Sequence, residues 1–256
     1  MNIKAIIFDF GFTLFYFRNP SVDKYFECFN AGLEKAINHL EQNDIITNSS
    51  QIKKFKTIFN KKRMNFFRKG LKNKKEYPTT FIFEHVLEVM ELRGTEDINL
   101  LSNDQLNELA RLYHSEEANE WVPFEKTKET LIQLSKIKGL KLAVLSNHSF
   151  HPLIVNLLKK YNLLYLFDAI TTSAEYGMRK PDPGIFYYTL DKLGLKNEPE
   201  SCLMCGDEHA DIMGAHEIGM ETILCKRMYK FPFEKEIKIR SKLEVNDISA
   251  LLDAFF

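Results

Sequence analysis

Three aspartates stand just after apolar runs of this sequence. Asp9 follows the run IKAIIF, and Asp207 and Asp211 follow SCLMCG within the segment CGDEHADI. Three carboxylates held together repel one another unless a cation neutralises them, and their hard oxygen atoms favour Mg²⁺. A carboxylate next to Mg²⁺ can attack phosphorus and form an acyl phosphate. The three residues are therefore candidates for a magnesium site in which Asp9 is a covalent nucleophile.

A hydroxyl, an amide and a lysine follow in further segments of the same kind. Ser146 and Asn147 end the apolar run LAVLSN, and Lys180 lies in the segment EYGMRKPDPGIF. A lysine and a hydroxyl beside a group of carboxylates suit an anion such as a phosphoryl group. If the fold brings these side chains to the aspartates, the sequence predicts a phosphoryl-binding site.

A repeated alternation of strands and helices is predicted to position these residues. Residues 3–8 have the pattern of a buried strand, and further strands are predicted at LKLAVLSN, at 168–172, at SCLMCGD, at TILC and in the C-terminal tail, with helices between them. This alternation indicates right-handed crossovers and a doubly wound parallel sheet of the α/β class. The carboxyl ends of parallel strands share one edge of a sheet, so we expect the candidate residues to meet there.

The stretch between the first strand and Pro123 has a helical pattern only. Apolar residues recur at three- and four-residue spacing, and Ser50, Thr79 or Thr80, and Ser102 are candidate helix starts. We therefore expect an all-helical domain at 16–118, inserted into a core formed by 1–15 and 119–256. Residues 51–75 contain eleven Lys or Arg and no acid. This basic stretch is interpreted as a solvated helix face plus a mobile loop, with attraction of an anionic substrate as the alternative and nucleic-acid binding as a weaker third interpretation, because the chain is neutral overall.

Charge and hydropathy exclude several function classes. Lys+Arg and Asp+Glu are both 35, so the net charge is zero and no nucleic-acid or membrane-surface partner is expected. No window reaches the roughly 20 apolar residues that span a bilayer, and no cleavage site follows the apolar N-terminus. We expect a cytoplasmic protein that is a monomer or a homodimer.

Five segments together resemble the haloacid dehalogenase superfamily. They are FDFGFTLF, PFEKTKETLIQL, LAVLSN, RKPDPGIF and GDEHADIMGAHEIGM. The segments occur in the order and spacing of the family, and the resemblance extends over essentially all of 1–15 and 119–256. The resemblance implies a Rossmann-like core with a helical cap domain inserted after strand one. It also implies a Mg²⁺-dependent hydrolase, most often a phosphatase acting on a small phosphorylated metabolite. The cap is expected to select the substrate.

The same resemblance implies a role for each matching position. Asp9 is the nucleophile and a magnesium ligand, and the backbone carbonyl of Gly11 is a further ligand. Asp207 ligates the metal, and Asp211 does so directly or through water.

The anion-binding positions follow from the same resemblance. Ser146 binds the phosphoryl oxygens, with Asn147 beside it, and both count as substrate-binding residues. Lys180 neutralises both the nucleophile and the transferring group, so that it serves in substrate binding and in catalysis.

Gly11 departs from the family pattern of phosphatases. Two residues after the nucleophile, those enzymes carry a second aspartate that protonates the leaving group, whereas glycine has no side chain. Loss of a general acid–base costs around 10²- to 10⁴-fold. Three explanations stay open. The first is a phosphatase that acts on substrates with acidic leaving groups, or one in which His148 or a cap residue donates the proton. The second is a member that cleaves C–halogen bonds or C–P bonds, the latter with Lys53 or Lys54 as the Schiff-base lysine, and the third is a binding or regulatory protein with a weakened site.

Overall fold

The computed structural model describes residues 3–91, 101–226, 229–230 and 235–255. The chain divides into two compact units, Met1–Pro20 with Trp121–Phe256, and Ser21–Glu120. We call them the core unit and the helical unit. The divisions lie a few residues beyond the predicted ones at 15/16 and 118/119. The first division lies beyond residue 15 because Phe15–Phe17 pairs with Trp121–Pro123 as antiparallel strands, which keeps Phe15–Phe17 in the core unit.

The core unit is built on a parallel sheet, as the sequence predicts. Its strands are β1 (Ala5–Phe8), β4 (Lys141–Ser146), β5 (Ala169–Thr172), β6 (Cys202–Gly206), β7 (Glu221–Cys225) and β8 (Leu243–Val245), with β2 (Phe15–Phe17) and β3 (Trp121–Pro123) forming the separate pair. The order across the sheet is β5-β4-β1-β6-β7-β8, and all five neighbouring pairs are parallel. All four residues of β1 are fully buried. Burial on both faces explains why the sequence of this strand is continuously apolar.

The helical unit contains five described helices. They are α1 (Val22–Gln42), α2 (Ser49–Asn73), α3 (Thr79–Val89), α4 (Asn103–Tyr113) and α5 (Ser115–Glu120). Their apolar faces enclose a core of their own that includes Leu33, Phe55, Phe83 and Leu109. The unit therefore has the hydrophobic core that an inserted domain needs.

The structure differs from the predicted helical pattern in two details. Ser102 caps α4 as predicted, with a reciprocal capping box to Gln105. Ser50 does not cap α2, because the helix begins at Ser49 and its N-cap, two residues before Ser50, is Asn48, whose side chain accepts from the backbone N–H of Gln51 at 3.0 Å. The expectation of helices alone from residue 16 is also wrong, since β2 reaches Phe17. A three-residue strand is too short for periodicity to reveal.

Helices cover the parallel sheet of the core unit. They are α6 (Thr127–Ser135), α7 (His151–Lys160), α8 (Ser173–Tyr176), α9 (Pro183–Lys192), α10 (His209–Glu217) and α11 (Leu252–Phe255). Ile185, Phe186 and Leu190 of α9 pack in one buried cluster with Ala5 and Ile7 of β1. This packing fixes the central strand, and with it the polar residues that follow the strand. Within the described ranges, no helix has the length and apolar character to cross a bilayer.

Candidate active site

The carboxyl ends of three adjacent strands carry three of the predicted residues. Asp9 follows β1, Ser146 is the last residue of β4, and Asp207 follows β6. Strand β1 lies between β4 and β6, and the backbone N–H of Asp9 donates to the carbonyl of Cys205 at 2.9 Å. The sheet register therefore brings these residues to one edge, as strand topology predicts.

The three predicted carboxylates form one buried group. One ligand oxygen from each of Asp9, Asp207 and Asp211 lies within 4.8 Å of the others. Asp211 is fully buried in the first turn of α10, and its Oδ2 accepts from the backbone N–H groups of Asp207 and Glu208, both at 3.1 Å. Oδ1 of Asp207 accepts from the hydroxyl of Thr13 at 3.0 Å. These hydrogen bonds fix the orientation of two of the three carboxylates.

Lys180 lies among these carboxylates. Its Nζ donates to Asp9 Oδ1 at 2.6 Å and to the carbonyl of Leu145 at 2.7 Å, and it lies 2.5 Å from Asp211 Oδ1. The contact with Asp211 is an ion pair rather than a well-directed hydrogen bond, because Asp211 Oδ1 has no partner of hydrogen-bond geometry among the described residues. Among the described residues, one ammonium group therefore lies in a group of three carboxylates, and its single charge does not balance theirs.

Burial and charge shift the pKa values of the central pair. Burial raises the pKa of Asp9 to about 6, because the opposing effect of Lys180 is smaller and the carboxylate of Asp211 adds to the rise. Burial by itself lowers the pKa of Lys180, but the carboxylates of Asp211 and Asp9 together outweigh it and raise the pKa. The lysine thus stays charged, while the ionised form of Asp9 is disfavoured by its surroundings.

The excess of carboxylates fits a divalent cation. Three hard oxygen donors converge, and the internal cation Lys180 compensates one charge. Such an oxygen set suits a divalent metal held by Asp9, Asp207 and Asp211. The carbonyl of Gly11 stays a predicted further ligand.

Ser146 and Asn147 have different surroundings. Ser146 is 6% exposed, and its hydroxyl makes no hydrogen bond to another residue in the part of the chain that the structure describes. Asn147 accepts at Oδ1 from the backbone N–H of Lys180 at 2.8 Å and donates from Nδ2 to the carbonyl of Lys180 at 3.1 Å. The amide of Asn147 therefore holds the main chain of the lysine, a contact that its sequence position does not reveal.

An aromatic side chain lies against Gly11, two residues after Asp9. A Cβ atom at Gly11 would lie 3.0 Å from Cη2 of Trp121. The indole makes edge-to-face contacts with Phe10 at 5.7 Å and Phe12 at 5.7 Å between ring centroids. Phe12 has φ 57°, so the chain turns sharply just after Gly11. Sequence reasoning missed Trp121, because 110 residues separate it from Gly11.

His148, which the sequence suggests as an alternative proton donor, lies two residues after the end of β4. Its Nδ1 accepts from the backbone N–H of Phe150 at 3.1 Å, so that one ring nitrogen is engaged locally. Lys53 and Lys54 lie exposed on α2.

Comparison with known proteins places the chain in a family. A model of the haloacid dehalogenase-like hydrolase family matches residues 47–225, more than half of the chain. The glyceraldehyde 3-phosphate phosphatase of Methanothermobacter thermautotrophicus is 38% identical over 107 residues, which cover 40% of this chain and 44% of that protein. The phosphoglycolate phosphatase of Aquifex aeolicus is 39% identical over 102 residues, which cover 40% of this chain and 46% of that protein. The chain thus spans about half the length of these curated relatives.

Solved structures extend the similarity to the fold of the whole chain. A 2-haloacid dehalogenase from Pseudomonas syringae has a TM-score of 0.64 at 18% identity, covering 99% of this chain and 98% of that one. A phosphatase of the superfamily from Thermococcus onnurineus has a TM-score of 0.57 at 20% identity, covering 99% and 98%. At these identities the likeness concerns the fold alone. On the strength of the family match, the chain belongs to the haloacid dehalogenase-like hydrolase family.

Proposed function

We propose that this protein is a Mg²⁺-dependent phosphatase that acts on a small phosphorylated metabolite through an aspartyl-phosphate on Asp9. The observation that carries the proposal is the buried group of Asp9, Asp207 and Asp211 around Lys180. The relatives named as phosphatases of glyceraldehyde 3-phosphate and phosphoglycolate support the substrate class.

The metal-binding residues in this proposal are Asp9, Asp207, Asp211 and the carbonyl of Gly11. Bound Mg²⁺ would supply Lewis-acid neutralisation of phosphoryl oxygens and of the surplus carboxylate charge. Thr13 and the backbone of Glu208 act before any ligand arrives, because they hold Asp207 and Asp211 in place. A site held in this way loses little free energy to reorganisation on binding.

The remaining steps belong to side chains of the core unit. A carboxylate oxygen of Asp9 attacks phosphorus, while Lys180 orients the nucleophile and places positive charge beside the transferring group. Ser146, at the end of β4, offers its hydroxyl to a phosphoryl oxygen. Asn147 holds the main chain of Lys180 through two hydrogen bonds. In this proposal Asn147 is a positioning residue and does not touch the phosphate.

The direct test is hydrolysis with and without magnesium. Purified protein with Mg²⁺ should hydrolyse acetyl phosphate or p-nitrophenyl phosphate, and EDTA should stop the reaction. Asp9→Asn should lower kcat by about 10³-fold or more, because the amide cannot act as the nucleophile. Asp191→Asn is the matched control, since Asp191 is exposed on the far end of α9. Equal turnover in the Asp9→Asn variant would remove Asp9 from the mechanism.

The glycine at position 11 favours a second candidate function, which is cleavage of a carbon–halogen bond. A halide leaves without a proton, so a site with no acid at position 11 suits it. Such a reaction needs no metal, and release of halide from a 2-haloacid should then survive EDTA. The surplus of carboxylates around Lys180 favours the magnesium-dependent phosphatase over this candidate. A binding protein without catalysis would show no turnover, with an anionic ligand still raising Tm.

A further inference from the structure

We propose that Trp121 fills the space beside Gly11 and so excludes a proton donor from position 11, which restricts the enzyme to phosphorylated substrates whose leaving group departs without a proton, with acyl phosphates as the preferred class. The inference rests on the proposed function, because it concerns the leaving group of that reaction. It depends on the indole that occupies the space beside Gly11 and on the engagement of the neighbouring polar groups.

The space that a side chain at position 11 would need is filled by carbon atoms. A Cβ there would lie 3.0 Å from Cη2, 3.5 Å from Cζ3 and 3.8 Å from Cζ2 of Trp121. The first distance is closer than ordinary van der Waals contact, so even alanine requires the ring to move. A carboxylate adds three more heavy atoms beyond Cβ. The outer edge of the indole therefore stands where a proton donor two residues after Asp9 would begin.

The indole is held in this position from several sides. Trp121 is 6% exposed, and its backbone is paired with Phe17 in the antiparallel β2–β3 pair. The hydroxyl of Tyr161 donates to the carbonyl of Trp121 at 3.2 Å. The indole ring of Trp121 contacts the ring of Phe17 edge-to-face, with 5.1 Å between the ring centroids, in addition to its contacts with Phe10 and Phe12. A ring packed this closely does not yield space without loss of contacts.

Lys180, Asp211 and Asp207, which lie in the same buried group as Asp9, already have other partners. The ammonium group of Lys180 has three N–H bonds, and Asp9, the carbonyl of Leu145 and Asp211 lie around it. Asp211 is fully buried, with Oδ2 bound to backbone N–H groups and Oδ1 paired with the lysine. Asp207 accepts from Thr13. The described polar neighbours of Asp9 named here are thus engaged in a network of ion pairs and hydrogen bonds, and the space beside Gly11 is occupied by aromatic carbon atoms.

A leaving group that is a stable anion makes this arrangement sufficient. In the first step an oxygen of Asp9 bonds to phosphorus, the P–O bond to the leaving group breaks, and its electron pair departs on a carboxylate oxygen. No proton is transferred, since a carboxylic acid has a pKa of about 4. In the second step water bonds to phosphorus, the bond from phosphorus to Asp9 breaks, and both protons of that water stay with the released phosphate. An alkoxide from an alkyl phosphate would need a proton that no side chain at position 11 supplies.

Two substrates and three variants test the inference. Acetyl phosphate and the alkyl ester phosphoglycolate are compared by kcat/KM in the wild type, where acetyl phosphate should be preferred by about 10²- to 10⁴-fold. Gly11→Asp alone should lower Tm without a gain on phosphoglycolate, because the ring blocks the carboxylate. Trp121→Ala with Gly11→Asp should raise kcat/KM for phosphoglycolate about 10-fold or more above Trp121→Ala alone. Tyr165→Ala, at a ring that is 71% exposed, is the control for loss of an aromatic side chain.

The outcomes separate this inference from the proposed function. If neither substrate is hydrolysed in an Asp9-dependent manner, the proposed function fails. If both are hydrolysed with similar kcat/KM, or if Gly11→Asp alone gains as much as the double variant, only the inference fails.

Milder substitutions and fluorescence keep the test decisive if the larger variants do not fold. Gly11→Ala should lower Tm in the wild type and much less in a Trp121→Leu background, and equal losses would overturn the steric argument. Trp121 is the single tryptophan of the chain, so its emission reports on this contact. Gly11→Ala should shift the emission to longer wavelength as the ring is displaced, and an unchanged spectrum with unchanged Tm would also overturn it.

Discussion

Two buried ionisable clusters, one in each unit, differ in charge balance. The core cluster contains Asp9, Asp207, Asp211 and Lys180, which is three acids to one base. The helical-unit cluster includes Thr79, His114 and Glu117, in which one imidazole is paired with one carboxylate. There His114 Nδ1 lies 2.6 Å from Glu117 Oε2, and His114 Nε2 lies 2.8 Å from the Thr79 hydroxyl. A buried cluster with a surplus of carboxylates needs an outside cation, whereas a hydrogen-bonded pair of imidazole and carboxylate can serve packing and orientation.

The two clusters also differ in how the chain assembles them. His114 and Glu117 are three residues apart at the junction of α4 and α5, so local helical geometry brings them together. Lys180 and Asp9 are separated by 171 positions, and only the completed parallel sheet makes them neighbours. Formation of the core cluster therefore reports the fold of the whole core unit. The unbalanced charges that result are a cost to stability that functional sites commonly carry.

Removal of the ammonium group of Lys180 should destabilise the core cluster more than any other single change in it. Lys180→Met keeps the apolar stem and deletes the ammonium group, which removes the counter-charge of the buried carboxylates of Asp9 and Asp211. We expect the free energy of unfolding in EDTA to fall by about 3–5 kcal/mol, measured by urea denaturation. Lys196→Met is the control, because its ion pair with Asp191 is exposed and should contribute almost nothing. A loss no larger than that of the control would mean that the carboxylates do not depend on Lys180.

The pH dependence of stability should reveal the second largest effect. The pKa of Asp9 is raised from 3.8 to about 6, so between these values the folded state binds a proton that the unfolded state has lost. Stability of the metal-free protein should therefore fall as pH rises from about 4 to about 6, by on the order of 3 kcal/mol. Asp9→Asn should remove this slope in urea denaturation curves taken across the range. A slope that persists in the variant would assign it to another group.

Much of the core unit could be predicted from the sequence, because strand ends carry the chemistry. The continuous run of β1 and the later strands determine the sheet, and parallel topology places Asp9, Ser146 and Asp207 at one edge. Asp211 and Lys180 were also expected near that edge, and the structure brings both to Asp9. Their functional roles remain predictions that the experiments above address.

Contacts between distant segments could not be predicted in the same way. The indole of Trp121 against Gly11 depends on the pairing of two three-residue strands, and neither strand has a measurable period. The helical-unit cluster likewise needs Thr79 to reach His114 across 35 positions. Side-chain partners of this kind depend on tertiary packing, and apolar periodicity does not predict which distant side chains pack together.

A charge change in the helical-unit cluster should act on stability alone. Glu117→Met leaves the buried ring of His114 without its acceptor, and we expect a loss of about 1–3 kcal/mol in the free energy of unfolding. The increase in Tm on addition of Mg²⁺ should equal that of the wild type, because this cluster takes no part in the proposed metal site. Glu34→Met, at an exposed ion pair with Lys56, is the control. A diminished response to Mg²⁺ would show that the two clusters are not independent.

The smallest effect should come from Asn147, and its kinetic form separates two roles. The sequence predicts a substrate-binding residue, whereas both hydrogen bonds of the amide go to the main chain of Lys180. If Asn147 positions the lysine, Asn147→Ala should lower kcat by roughly 10- to 100-fold with little change in KM, and stability by about 1–2 kcal/mol. Asn147→Asp keeps the acceptor for the N–H of Lys180 and should retain more of kcat than alanine does. A rise in KM with kcat intact would instead favour direct contact with the substrate, because loss of ground-state binding appears in KM.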